Sequence, residues 1–103
     1  MADQSIIIHF EFGSRDLGPL HALEEKLTNA IEEAGVGELD GDEVSIDGQE
    51  AYIYIYGPSA KAIFDVIEPI LVDEEITQGA EVQLRSGPIE DEDAEEDLIV
   101  IGE

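Results

Sequence analysis

Residues Glu50-Ala51-Tyr52-Ile53-Tyr54-Ile55-Tyr56-Gly57, EAYIYIYG, alternate between tyrosine and a small or aliphatic residue. Successive side chains of a strand point to opposite faces of a sheet. As a strand, this stretch sends Ile53 and Ile55 to one side and Tyr52, Tyr54 and Tyr56 to the other. One face is fit for a core. The other is a row of amphipathic rings in need of a neighbour.

Working outward, Asp47-Gly48 precedes the stretch and reads as a hairpin turn between EVSI and AYIYIY. Val44 and Ile46 are then expected to share the core face with Ile53 and Ile55. Further back, SIIIHFEF (Ser5–Phe12) is rich in β-branched and aromatic residues and reads as the first strand. Its Ile6, Ile8, Phe10 and Phe12 lie on one face, and Ile7, His9 and Glu11 on the other.

Between these strands the hydrophobic period changes. Leu20, Leu23, Leu27, Ala30, Ile31 and Ala34 recur at steps of three and four, which predicts an amphipathic helix. Asp16 or Gly18 is placed to cap it, Pro19 suits its first turn and Gly35 its end. Glu24, Glu25, Glu32 and Glu33 fall on the opposite side.

After the tyrosines, Ser59 is positioned as the N-cap of a second helix with the stripe Ala60, Ile63, Phe64, Ile67 and Leu71. Pro69 is expected to kink it or to set its end nearby. Ala80, Val82 and Leu84 then face inward on a fourth strand, with Glu81, Gln83 and Arg85 outward. LIVI (Leu98–Ile101) is apolar enough to add a short strand.

The order β-α-β-β-α-β predicts an α+β, ferredoxin-like fold. Its sheet would be antiparallel and four-stranded, with two helices on one face and room for an extra C-terminal strand. Residues 1–88 read as a single domain, and 89–103 as an acidic tail holding the short strand 98–101. In this topology the first and third strands are the expected central pair. That places Ile7, His9, Glu11, Tyr52, Tyr54, Tyr56, Gln83 and Arg85 together on the open face.

Charge bounds the function. The chain of 103 residues carries 27 acidic side chains against four basic ones, a net of −23. Eight of the acids lie in residues 89–103, which leaves 19 against four over residues 1–88. Phosphate recognition needs a basic footprint, so nucleic acid and anionic membranes are not expected partners. This holds even though aromatic rings on central strands echo RNA-binding sheets. A basic protein is the expected partner, met by electrostatically steered association.

There is no cysteine, hence no disulfide framework and no thiolate metal site. MADQSIIIHF has no basic n-region and only a short apolar run, so no secretory leader is expected and the expected compartment is the cytoplasm. No run of apolar residues is long enough to span a bilayer.

Motifs for chemistry are missing from the sequence. Neither a phosphate-binding glycine loop nor a nucleophile elbow occurs. His9 and His21 stand alone, without a second histidine at ligand spacing. Asp40 and Asp42 occupy the first and third positions of a calcium loop, but Val44 and Ser45 fall where an acid and a glycine are required, which excludes an EF-hand. Acids are too numerous for any one pair to be singled out as catalytic.

The run YIYGPSAKAIFDVIEPIL followed by GAEVQLRSGP resembles small acidic bacterial proteins of unassigned function. They share a Tyr-x-Tyr-Gly-Pro turn into a helix ending Glu-Pro-Ile/Val-Leu, then a Gly-x-x-Val-x-Leu-Arg strand. The resemblance covers residues 38–88. It implies a compact α+β domain and carries no site residues.

The functional expectation is a non-enzymatic acidic protein, without metal or cofactor, that inhibits or sequesters a basic protein in the manner of an immunity protein or DNA mimic. Tyr52, Tyr54 and Tyr56 are the expected anchors, with His9 beside them and Glu11, Asp40, Asp42 and Glu43 as rim charges. The alternative is a small homodimeric structural or regulatory domain of a salt-adapted cytoplasm.

Overall fold

The computed structural model describes residues 4–13, 16–85 and 96–102. Five strands and two helices are laid out as an α+β structure: β1 (Gln4–Glu11), α1 (Gly18–Ala34), β2 (Glu38–Val44), β3 (Glu50–Gly57), α2 (Ala60–Asp73), β4 (Glu81–Arg85) and β5 (Glu96–Val100). A short 3-10 turn, Glu75–Thr77, links α2 to β4.

All five strands form one antiparallel sheet in the order β2-β3-β1-β4-β5. The expected neighbours β1 and β3 pair along eight residues, from Gln4 opposite Gly57 to Glu11 opposite Glu50. The five strands and their order differ from the simple four-stranded ferredoxin-like arrangement expected from the sequence, with β5 lying outside β4. It starts at Glu96, two residues before the strand expected from LIVI. Residues 89–95 of the acidic tail lie outside the described residues.

One face of the sheet is the floor of the core. Ile6, Ile8, Ile53, Ile55 and Val82 are fully buried there, and Phe10 and Leu84 nearly so. Leu20, Leu23, Leu27 and Ile31 of α1 meet them, as do Ala60, Ile63, Phe64, Ile67 and Leu71 of α2. Of the alanines expected on the α1 stripe, Ala30 is half-buried and Ala34 exposed. Each fully buried Leu or Ile contributes on the order of 2 kcal/mol of transfer free energy, so this face dominates the stability.

The helix ends are satisfied as the sequence suggests, with one exception. Ser59 caps α2, its hydroxyl accepting from the amide of Ala62 at 3.2 Å. Gly35 ends α1 in the left-handed region at φ 66°, which costs glycine nothing. Among the described residues the start of α1 has no side-chain N-cap; Leu17 holds that position, and Asp16 Oδ1 accepts from Gly18 N just outside it. Pro69 lies inside α2, which ends four residues further on at Asp73. The last carbonyls of α2 find side-chain donors instead. Thr77 Oγ1 donates to Leu71 O at 2.6 Å, and Gln78 Nε2 donates to Val72 O at 2.8 Å.

Two departures from expectation lie in the β2–β3 hairpin. Asp47-Gly48 does make the turn, with Asp47 Oδ1 accepting from Ser45 Oγ and Gln49 N. That network draws Ser45–Gln49 into the loop, so Ile46 is fully exposed and does not join the core. The other Asp-Gly pair, Asp40-Gly41, sits inside β2, where the register slips between Leu39 and Gly41. The extra residue is a bulge. It lets both Leu39 and Val44 turn toward the core, where each is partly buried.

Two backbones cross closely where α1 hands over to β2 and β3 to α2. A Cβ on Gly57 would lie 2.4 Å from Val36 O, and one on Gly37 would lie 2.5 Å from Tyr56 O. Glycine at both places is a condition of that approach.

Candidate functional site

The face of the sheet turned away from both helices is the candidate site. Register fixes its composition, because residues opposite one another share a face. Three rows cross the sheet. The first is Glu38, Tyr56, Ser5, Arg85 and Glu96; the second is Gly41, Tyr54, Ile7, Gln83 and Leu98; the third is Glu43, Tyr52, His9, Glu81 and Val100. Glu11 and Glu50 close one end as a pair.

Tyr52, Tyr54, Tyr56, Ile7 and His9 are each half-buried, and Leu98 is 62% exposed. Rings and aliphatic groups thus form the middle of the face. Glu38, Glu43, Glu50, Glu11, Glu81 and Glu96 surround it, each exposed.

The rings are held in place. His9 stacks on Tyr52 with centroids 4.5 Å apart and planes 9° from parallel. Its Nε2 lies 2.9 Å from Glu50 Oε1 and its Nδ1 lies 3.8 Å from Glu81 Oε2, so a carboxylate faces each ring nitrogen. The Tyr54 hydroxyl donates to Glu43 Oε2 at 3.1 Å. Burial, followed by that bond and the Glu43 charge, pushes the Tyr54 phenol pKa up. Arg85 is paired with Glu96 across β4 and β5. Ser5 Oγ is buried without a hydrogen-bond partner among the described residues.

A hollow opens at either end of the ring cluster. One, of about 280 Å³, is lined by His9, Phe10, Glu11, Gln78, Gly79 and Glu81. The other, of about 310 Å³, is lined by Gly37, Glu38, Tyr56 and Gly57. Each has a carboxylate in its wall.

The residues picked from sequence are brought together in part. Tyr52, Tyr54, Tyr56, His9, Glu11 and Glu43 share this face. Asp42 does not, because its register partner is Ile53 on the helix side. Asp40 is exposed at the bulge, outside the paired register. Sequence reasoning missed Glu50, which holds His9. It sits opposite Glu11 once the hairpin is in register, so the pairing was there to be counted. Leu98 and Val100 were also missed as members of this face, because their side depends on how β5 pairs with β4.

Asp42 belongs to a different cluster. His21 and Glu24, three residues apart on α1, and Asp42 on β2 bring one ligand atom each to within 4.8 Å of one another. Burial, then a hydrogen bond with Asp42 and its charge, push the Glu24 carboxyl up to about 8. The Glu24 carboxyl is therefore held toward its protonated form at neutral pH. This cluster is the one among the described residues with donor atoms grouped for a cation.

No family model, curated protein or solved structure matches the chain. No described helix is long and apolar enough to cross a membrane.

Proposed function

We propose that this chain is a non-enzymatic binding protein that inhibits or sequesters a basic protein, as an immunity protein or DNA mimic does. We also propose that β1 to β4 form a ferredoxin-like core to which β5 is an addition. The observation that carries the functional reading is the open face: a half-buried tyrosine, isoleucine and histidine centre within a ring of six carboxylates. Tyrosine supplies large contact area and a polar tip. The carboxylates neutralise Arg and Lys of the partner, and the net charge of −23 steers the encounter.

The test is capture on immobilised protein from a lysate of the source organism, washed first at low salt and then at about 1 M, where the Debye length falls to ~3 Å. The expected result is one basic protein at stoichiometric yield, released by salt, lost with Tyr54→Ala, and inhibited when the free chain is added back. Capture of acidic or neutral proteins alone, or of a basic one indifferent to salt, overturns the reading.

The place of β5 at the end of the sheet, with Leu98 exposed, favours one other reading: a homodimer. Sedimentation at low and high salt separates the two. A monomer at both salts removes the homodimer, and a dimer whose dissociation follows Leu98→Lys supports it.

A further inference from the structure

We infer that the segment of the partner seated on the open face is a basic amphipathic α-helix, lying along the seam between β1 and β3. This rests on the functional reading above and names the chemistry of its ligand.

The sheet order sets the width of the seat. Glu38 and Glu43 stand on β2, and Glu81 stands on β4, with β3 and β1 between. Three strand steps of ~4.8 Å separate these acidic flanks by ~14 Å. A helix with its side chains is ~10–12 Å across. A helix above Tyr54 and Ile7 therefore meets rings beneath and carboxylates on both sides. That is the pattern of an apolar stripe bordered by Lys and Arg.

Length agrees with width. Tyr52 to Tyr56 spans four residues of strand, ~13 Å. A helix covers that distance in ~9 residues, about two and a half turns. The hollow beside Glu38 and the one beside Glu11 and Glu81 then lie at its two ends, each open to a long basic side chain.

Backbone chemistry decides against an extended segment. The N–H and C=O groups of β1 and β3 are committed to the sheet ladder, so a strand laid on the face would bury polar groups without partners. A helix brings its backbone already bonded. Charge decides against a second copy of this chain, because face-to-face contact would set two rings of carboxylates against each other.

The experiment uses the full chain and a synthetic 14-residue helical peptide with leucines at positions i, i+3, i+4 and i+7 and lysine or arginine elsewhere. A scrambled peptide of identical composition is the control. Titration at low salt is expected to give at least tenfold tighter binding for the amphipathic peptide, with a gain of helical circular dichroism. Amide shifts in the unaltered chain are expected to cluster at Tyr52–Tyr56 and Ser5–His9, which needs no variant. Tyr54→Ala should weaken binding at least fivefold, and Ile46→Ala should leave it unchanged.

Equal affinity for both peptides, or shifts clustered elsewhere, overturns the helical seat while leaving an acidic protein-binding chain. Binding of neither peptide overturns both readings.

Discussion

The two faces of one sheet are made of neighbouring residues and differ in almost every physical respect. Ile53 and Ile55 are fully buried, while Tyr52, Tyr54 and Tyr56, alternating with them, are half-buried. The inner face is uniform and apolar and meets two helices. The outer face mixes rings, one histidine and a ring of acids. Packing density makes the inner face intolerant of change. The outer face has no such constraint among the described residues, so its composition is free to answer to something outside the fold. That difference separates what holds this molecule together from what it offers a partner.

Substitutions test that separation. The largest effect is expected from Ile53→Ala, which leaves a cavity in the core and should cost about 2–5 kcal/mol by denaturant unfolding. A loss below about 1 kcal/mol would break the contrast between faces. Gly57→Ala comes next. Its new methyl would meet Val36 O, and a loss of about 1–3 kcal/mol is expected by thermal unfolding.

Tyr54→Ala, one residue from Ile53, should cost at most about 1 kcal/mol, within the span of strand preferences. A cost matching that of Ile53→Ala would show that the outer face is structural.

The Glu24–Asp42 pair gives a pH-dependent effect. Folding raises the Glu24 carboxyl from 4.5 to about 8, so the folded chain binds this proton more tightly than the unfolded one. Its contribution is fully favourable below about 4.5 and is lost as pH rises through about 8. Glu24→Gln should remove that fall. The gain at pH 9 is on the order of 0.5–1 kcal/mol after screening of a partly exposed pair, read from unfolding midpoints at pH 5 and pH 9. Smallest of all, Ile46→Ala should change stability by less than about 0.5 kcal/mol, because this side chain lies outside the core.

Much of the fold was legible because strand and helix periods state burial directly. The stripe Ala60, Ile63, Phe64, Ile67 and Leu71 is buried as its spacing requires. The tyrosine row fell on the outer face for the same reason. What was not legible depended on side chains acting on the backbone. Ile46 was misplaced because the Asp47 carboxylate draws Ser45 into the turn, and alternation carries no sign of that bond. The Asp40 bulge shifts the parity of β2, so Leu39 and Val44 reach the same side although their numbers say otherwise.

The candidate site was readable only in outline. Asp42 shares parity with Val44, so its absence from the tyrosine face was written in the strand itself. Helical periodicity puts Glu24 on the solvated side of α1, and its carboxyl contact with Asp42 arises only when the helix is docked on β2.

The crossing of Gly37 over Gly57 bears on descent. A lineage of this chain can trade tyrosines, histidine and acids as its partner changes, since none of them supports the core. It has no comparable freedom at the two glycines, where any side chain collides with a carbonyl 2.4–2.5 Å away. Remote kin would then share almost nothing of the binding surface. They would be recognised by two glycines, one ahead of the second strand and one closing the third.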